Sequence, residues 1–117
     1  MRAGLDAFRA LGFSPKEIRL IGGGAKSALW RRIASDILNV PIKIPLQDEA
    51  AALGAALQAL WCFKSEKSPA NIEEICAEHI RLNENAQTLP QPEQVSAYNT
   101  AYEAYMTQLK AVMPLYT

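Results

Sequence analysis

Apolar side chains recur along the chain at two different periods, and the change of period predicts alternating helices and strands. Steps of three and four indicate amphipathic helices, whereas short continuous apolar runs indicate strands. The first strand, with Ile18, Leu20 and Ile21, is expected to be buried on both faces, as in a parallel sheet. The predicted order is helix, strand, helix, strand, helix, at residues 3–11, 18–21, 26–38, 40–45 and 49–63.

Two further helices are predicted in the last third of the chain. Asn71 can cap the first of them, and Pro92 stands where proline favours the start of the second. Residues 81–91 between them are polar and are expected to form a loop. The last helix has one apolar stripe, expected to pack on the sheet, formed by Val95, Tyr98, Tyr102, Tyr105, Leu109 and Val112.

The domain organisation follows from these elements. Residues 1–63 are interpreted as an αβαβα core, 64–70 as a linker and 71–117 as closing helices. Pro41 and Pro45 bound the second strand and predict either an edge position or short strand ends. The fold class is α/β, but two strands alone make a poor core, so we expect a piece of a larger fold.

The alanine-rich helix at 49–63 has a face with almost no side chains. Asp48 is a plausible N-cap for this helix. Gly54 within it costs about 1 kcal/mol of helix propensity relative to alanine. We therefore expect a neighbour that packs too closely at Gly54 to tolerate a larger side chain.

Composition and charge exclude several functions. Twelve basic and twelve acidic residues cancel, so no excess charge points to nucleic acid or to a membrane surface. No apolar run is long enough to cross a bilayer, and the first residues do not resemble a signal peptide. Cys62 and Cys76 lack the spacing of a zinc site, and reduced, buried thiols in a cytoplasmic protein are expected.

The candidate chemistry lies at Gly22, Gly23 and Gly24, between the first strand and the following helix. Glycine lets a ligand approach the backbone, and a helix N-terminus favours an anion. Lys26 near that N-terminus would be unfavourable unless an anionic ligand offsets its charge, and Ser27 could cap the helix or bind the ligand. The alternative is a tight turn without a ligand, with Lys26 simply solvated.

Two common phosphate motifs do not fit this turn. A P-loop would need glycine at positions 20 and 25, where the chain has Leu20 and Ala25. The dinucleotide fingerprint finds two of its three glycines, with Ser27 in place of the third. A dehydrogenase half would also need an acid directly after the second strand, and only Asp48 or Glu49 is available.

The segments "IRLIGGGAKSALWRRIASDILNVPIKIP" and "DEAAALGAALQALW" resemble the carboxy-terminal domain of the FGGY carbohydrate kinases, most of all the xylulose kinase branch. The resemblance covers about residues 3–63, and the tyrosine stripe near the end supports it. It implies part of an actin-like, ribonuclease-H-like ATPase fold, in which two domains face each other across a cleft. The sugar would bind mainly to the first domain, and the second would supply much of the nucleotide site.

The resemblance also implies roles for individual residues. Gly22, Gly23, Gly24 and Ala25 would line the ATP, with Lys26 and Ser27 in the same turn. Ala28 departs from members with asparagine there, which removes one contact to the nucleotide. The helix containing Ala50, Gly54, Ala55 and Ala56 would pack under the nucleotide loop.

Catalysis is not assigned to any residue of this chain. The resemblance places the general base, an aspartate, and most Mg²⁺ ligands in the first domain, so Asp36 and Asp48 receive no catalytic role. The partners are therefore ATP and a sugar, with nucleic acid and membrane excluded and the oligomeric state open, a homodimer of the full enzyme included. The alternative function is a stand-alone nucleotide-binding or interaction module without catalysis.

Four other side chains receive structural interpretations. His79 is expected to be a partly exposed structural residue rather than a metal ligand, since Cys76 alone cannot complete a site. Trp30 is expected in the core rather than on a nucleobase. Arg31 and Arg32 are expected on a solvated face.

Overall fold

The computed structural model describes residues 1–47 and 49–116. The predicted order of helices and strands is confirmed, with one extra helical turn at the glycines, one 3₁₀ turn before the last helix and one after it. The elements are α1 (Arg2–Ala10), β1 (Ile18–Arg19), α2 (Gly23–Lys26), α3 (Ala28–Leu38), β2 (Ile42–Lys43), α4 (Ala50–Ser65), α5 (Ile72–His79) and α6 (Pro92–Val112), with 3₁₀ turns at Glu84–Ala86 and Met113–Tyr116.

The backbone of segment 81–88 forms isolated bridges to the second strand and to the residues that follow it, which the sequence did not indicate. β1 and β2 are parallel, as predicted, with Ile18 opposite Ile42. On the other side of β2, Ile42 and Thr88 exchange N–H···O=C bonds of 2.8 and 2.9 Å in antiparallel orientation. The sheet of the described residues has two strands, so β2 is an edge strand that also forms isolated bridges, and its two-residue length agrees with short strand ends. Pairing also continues next to the prolines, since the Asn83 N–H donates to the Ile44 carbonyl at 2.9 Å.

The core of the described residues is small and lies where α3 crosses the sheet. Ala34, Leu38 and Ile42 form the buried cluster, and Ile42 is fully buried. Its partly buried neighbours are Leu5, Ile18, Leu20 and Ile37. Ile18 is only half-buried and Arg19 is exposed, so β1 is not buried on both faces as predicted.

Most of the predicted helix ends are confirmed by their local geometry. The Ser27 hydroxyl accepts a hydrogen bond from the Trp30 N–H at 3.2 Å, and the side-chain Oδ1 of Asn71 accepts one from the Glu73 N–H at 2.8 Å. Pro92 is the first residue of α6. Asp48, the predicted cap of α4, lies outside the described residues.

Helix α6 packs mainly along α3, so the prediction that its tyrosine stripe packs on the sheet is wrong. One reason is Asp36, a 2% exposed residue of α3 whose carboxylate accepts the Gln91 N–H at 2.7 Å just before α6 begins. A second link runs through Arg2 of α1, whose guanidinium donates to the Ile37 carbonyl of α3 at 3.0 Å and to the Asn99 side chain of α6 at 2.9 Å. The same guanidinium lies 5.2 Å from the Tyr102 ring. Polar contacts at both places hold the two helices together.

The described chain is more extended than a compact domain of its length. Its radius of gyration is 18.3 Å, against about 13 Å expected for 117 residues. Several large apolar side chains are exposed, among them Leu11 at 75% and Leu29 at 70%. Within residues 1–47 and 49–116, no helix combines the length and apolar character needed to cross a membrane.

Candidate functional site

The glycine segment is a short helical turn and not a bare loop. Gly22 precedes it with a φ of 83°, a left-handed conformation that favours glycine. The Ala25 N–H donates to the Gly22 carbonyl at 3.0 Å, and the Ser27 N–H donates to the Gly24 carbonyl at 3.3 Å. The single helix predicted from residue 26 is therefore divided into α2 and α3 at Ser27.

This division changes the interpretation of Lys26. The residue ends α2, where a cation is favourable, and lies before the cap of α3. Lys26 therefore lies next to the N-terminus of α3, as predicted, and it also ends the single helical turn α2. Its charge by itself does not indicate an anionic ligand.

The space available for a side chain differs among the three glycines. A Cβ on Gly22 or Gly23 would meet no heavy atom of the described residues within 4 Å. A Cβ on Gly24 would lie 2.8 Å from Cδ1 of Trp30, which is closer than real Cβ contacts. The backbone of Gly22 and Gly23 is thus open to a ligand. At Gly24, by contrast, the Trp30 indole leaves no space for a side chain.

Trp30 is not in the core, contrary to the prediction. Its side chain lies against Gly24 and is 44% exposed. Leu29 beside it is 70% exposed. The buried residues of α3 all lie in its C-terminal half, from Ala34 to Leu38.

A cavity of about 40 Å³ lies beside the glycine turn, between β1 and the segment that follows β2. Both strands are parallel, so their carboxyl ends meet at one edge, where ligands of open α/β sheets bind. Ala25 at its base is buried, and the lining residues are Leu20, Ile21, Gly22, Ala25, Lys26, Ile44, Pro45 and Gln47. Sequence analysis missed the contribution of Ile44, Pro45 and Gln47, which the carboxyl-end rule could have found.

A second cavity of about 160 Å³ continues from the first along α4. Its wall is almost entirely apolar, and it shares Ile21, Pro45 and Gln47 with the smaller cavity. Gly54 and Leu57 of α4 form its far side. The two cavities together make a groove that runs from the glycine turn to α4.

Gly54 faces this open groove. A Cβ there would meet no heavy atom of the described residues within 4 Å, so the expectation of close packing is wrong within the described chain. α4 packs mainly against α5, and of its residues only Leu57 is buried. The face of α4 at Gly54 borders the groove.

Arg31 and Arg32 are not simply solvated, contrary to the prediction. The Arg31 Nη1 donates to the Ala25 carbonyl at 2.6 Å, and the Arg32 Nη1 donates to the Leu89 carbonyl at 2.8 Å. Both side chains are partly buried. One arginine therefore reaches α2 and the other the start of α6.

Among the described residues, Asp36, His79, Cys62 and Cys76 do not line the groove. The Asp36 carboxylate accepts a hydrogen bond from the Gln91 N–H. The Nδ1 of His79 lies 2.9 Å from the Ile75 carbonyl, and the His79 side chain is 44% exposed, which agrees with the predicted partial exposure. No group of three or more His, Cys, Asp or Glu among residues 1–47 and 49–116 could hold a metal ion. Cys62 and Cys76 are free, but Cys62 is exposed, so the expectation of two buried thiols is wrong.

The sequence around this site matches a known protein family. The FGGY family of carbohydrate kinases, C-terminal domain, matches residues 1–63. Xylulose kinase from Haemophilus influenzae is 43% identical over 109 residues, covering 93% of this chain and 21% of that protein. Erythritol kinase from Brucella abortus is 29% identical over 111 residues, covering 95% of this chain and 21% of that protein.

The fold agrees with a solved kinase structure. The xylulose kinase structure from Rhodospirillum rubrum superimposes with a TM-score of 0.75 at 21% identity, covering 97% of this chain and 22% of that one. The chain thus spans about a fifth of the length of the proteins it matches. Its class is a helix-rich α/β unit with the fold of a sugar kinase segment.

The family match extends over more than half of the chain and includes the glycine turn, β2 and nearly all of α4. The chain belongs to the FGGY family of carbohydrate kinases and matches its C-terminal domain.

Proposed function

We propose that this chain is the ATP-binding, C-terminal part of a sugar kinase that transfers the γ-phosphoryl group of ATP to a sugar hydroxyl. The observation that carries the proposal is the 43% identity to Haemophilus influenzae xylulose kinase across 93% of the chain. The proposed sugar is D-xylulose, giving D-xylulose 5-phosphate. The Brucella abortus erythritol kinase matches the same length of chain at the lower identity of 29%, which favours xylulose without excluding other sugars.

The proposed nucleotide site is the glycine turn with the groove beside it. Gly22 and Gly23 would present backbone N–H groups that no side chain shields, and Gly24 and Ala25 would continue the same surface. Lys26 and Ser27 complete the set of proposed nucleotide-binding residues. A cavity of about 40 Å³ is far smaller than a nucleotide, so the rest of the site would come from the facing domain of an actin-like, two-domain kinase.

The chemistry divides between this chain and that facing domain. The sugar hydroxyl oxygen would attack the γ-phosphorus, its proton would pass to a base of the facing domain, and the bond to the β-phosphate oxygen would break to release ADP. Such transfer depends chiefly on positioning and charge neutralisation. The glycine turn would hold the nucleotide in line with the hydroxyl. Mg²⁺ would neutralise phosphate charge, with ligands from the nucleotide and the facing domain.

An exchange experiment tests the proposal. The 117-residue chain alone, supplied with Mg-ATP and D-xylulose, is expected to give no turnover. A chimera in which the chain replaces the matching segment of the Haemophilus influenzae enzyme is expected to phosphorylate D-xylulose. Gly23→Val, which would cover the open backbone, is expected to raise the KM for ATP at least tenfold.

Two outcomes would count against the proposal. Turnover by the isolated chain near that of an intact kinase would show that the facing domain is not needed. A folded chimera without any ATP-dependent turnover would favour the alternative of a module without catalysis. Gly4→Val serves as the control, because Gly4 lies in α1, lines neither cavity of the groove and has no heavy atom of the described residues within 4 Å of a new Cβ.

A further inference from the structure

The turn α2 cannot hold its own shape. It has only four residues, two of them glycines, and it follows a third. Glycine loses the most backbone freedom on ordering, and a single helical turn is an unfavourable nucleus. Its order must therefore come from contacts with the rest of the molecule.

Two consecutive residues of α3 supply such contacts. The Arg31 Nη1 donates to the Ala25 carbonyl at 2.6 Å, a short, charge-assisted hydrogen bond. The indole of Trp30 fills the space directly over Gly24, where a Cβ would come within 2.8 Å. One contact holds the polar backbone of the turn, and the other limits its movement toward α3.

Arg31 is committed to this contact at some cost. Its Nε is buried without a hydrogen-bond partner in the described part of the chain, and an unpaired buried donor is unfavourable. A lysine or a methionine at this position would avoid that cost. Of the guanidinium nitrogens, Nη1 reaches the carbonyl of the turn.

We infer that Arg31 is a positioning residue for the proposed nucleotide site: its guanidinium holds the Ala25 carbonyl and so keeps the Gly22–Ala25 backbone in its binding orientation. This inference rests on the proposed function. It assigns Arg31 no contact with the nucleotide. The free enzyme would otherwise have to order the turn at the moment of binding, which lowers affinity and leaves the chemical step unchanged.

Arg32 provides a matched control. It is the same residue type, in the same helix, and it also donates from Nη1 to a backbone carbonyl, at 2.8 Å. Its acceptor, Leu89, lies before α6 and away from the glycine turn. A general loss of helix packing should therefore follow either substitution, whereas an effect on the turn should follow only the change at Arg31.

The test uses the active chimera described above, with Arg31→Met, Arg31→Lys and Arg32→Met. We expect Arg31→Met to raise the KM for Mg-ATP about tenfold with kcat within about twofold, since a hydrogen bond to a charged group is being removed. Arg31→Lys should recover part of the loss, because an ammonium can still donate to the carbonyl. Arg32→Met should leave the KM for ATP unchanged. Equal KM values for Arg31→Met and Arg32→Met would overturn the inference.

A second measurement on the 117-residue chain decides the matter independently of turnover. Hydrogen exchange of the peptide segment 20–28 should become faster in Arg31→Met than in Arg32→Met. Equal exchange in the two variants would overturn the inference even if the chimera did not fold. If the unsubstituted chimera used no ATP, the proposed function would fail before any variant was compared.

Discussion

At the scale of single residues, the glycine turn shows that adjacent glycines serve different purposes. Gly22 takes a left-handed φ, Gly23 leaves its surroundings open, and Gly24 accommodates Trp30. The sequence "GGG" indicates a special backbone but cannot separate these reasons. The separation depends on which side chains fold against each Cα.

This difference predicts that two neighbouring alanine substitutions change the free energy of unfolding by different amounts. Gly24→Ala should lower the free energy of unfolding by about 1–3 kcal/mol, because its Cβ would overlap the Trp30 ring. Gly23→Ala should change it by about 0.5 kcal/mol or less, since the position is helical and open. Urea unfolding of both variants measures the difference. Equal losses in the free energy of unfolding would contradict the inferred overlap with the Trp30 ring.

Glu17 gives the chain a predictable response to acid. The Lys43 Nζ donates to the Glu17 carboxylate, with 2.6 Å between Nζ and Oε2. This hydrogen bond is the main cause that lowers the pKa of the Glu17 carboxyl below its ordinary 4.5, and Arg19 lowers the pKa further. A group with a lowered folded-state pKa stabilises the fold above its unfolded pKa, and that contribution is lost as the pH falls through the lowered value. About a third of the Glu17 side chain is exposed, so solvent screening limits the contribution to about 0.5 kcal/mol.

Glu17→Gln should therefore reduce the thermal midpoint slightly at pH 7. The difference from the unsubstituted chain should shrink as the pH falls below about 4.5, where the carboxylate becomes protonated. Thermal unfolding at a series of pH values measures this. A difference that grows toward acid pH would mean that the sign of the pKa shift is wrong.

At the scale of elements, α4 departs most from its expected environment. It is a long, mainly apolar helix, yet among its residues only Leu57 is buried. Its face at Gly54 borders the apolar groove that leads to the glycine turn. An apolar helix face of this kind normally packs against another element, so its exposure fits a chain that spans a fifth of its relatives' length.

The open space at Gly54 predicts that Gly54→Ala stabilises the chain by about 0.5–1 kcal/mol. Alanine has the higher helix propensity and nothing described lies within 4 Å of the new methyl group. Ala55→Gly, an exposed neighbour in the same helix, is the reciprocal control and should destabilise by about 1 kcal/mol. Chemical unfolding distinguishes the two. Destabilisation by Gly54→Ala would restore the idea of close packing at this position.

At the scale of the whole molecule, apolar surface is left uncovered on the side of α1 as well. Phe8 and Phe13 meet edge to face, with ring centroids 6.3 Å apart, and both are more than half exposed. They border an apolar hollow of about 360 Å³ that also includes Leu5 and Ile18. Exposed apolar patches of this kind promote association.

We therefore expect the isolated 117-residue chain to self-associate at micromolar concentration. Replacing Phe8 and Phe13 by serine should reduce that association with little loss of stability, because both rings are largely exposed. Leu115→Ser is the control, since Leu115 is 78% exposed and lies at the other end of the chain. Sedimentation velocity measures the effect. An equal reduction by the control would mean that the α1 patch has no special role.

The sequence by itself determined the local features of this protein: the order of helices and strands, the cap at Ser27, the parallel pairing of β1 with β2, and the resemblance to the FGGY kinases. These depend on periodicity, cap chemistry and motif spacing within a few tens of residues. Tertiary structure alone decided that segment 81–88 pairs with β2, that α6 lies on α3, and that Trp30 and Arg31 hold the glycine turn. The physical reason is that these contacts join backbone carbonyls and ring edges, which no local pattern of polar and apolar residues specifies.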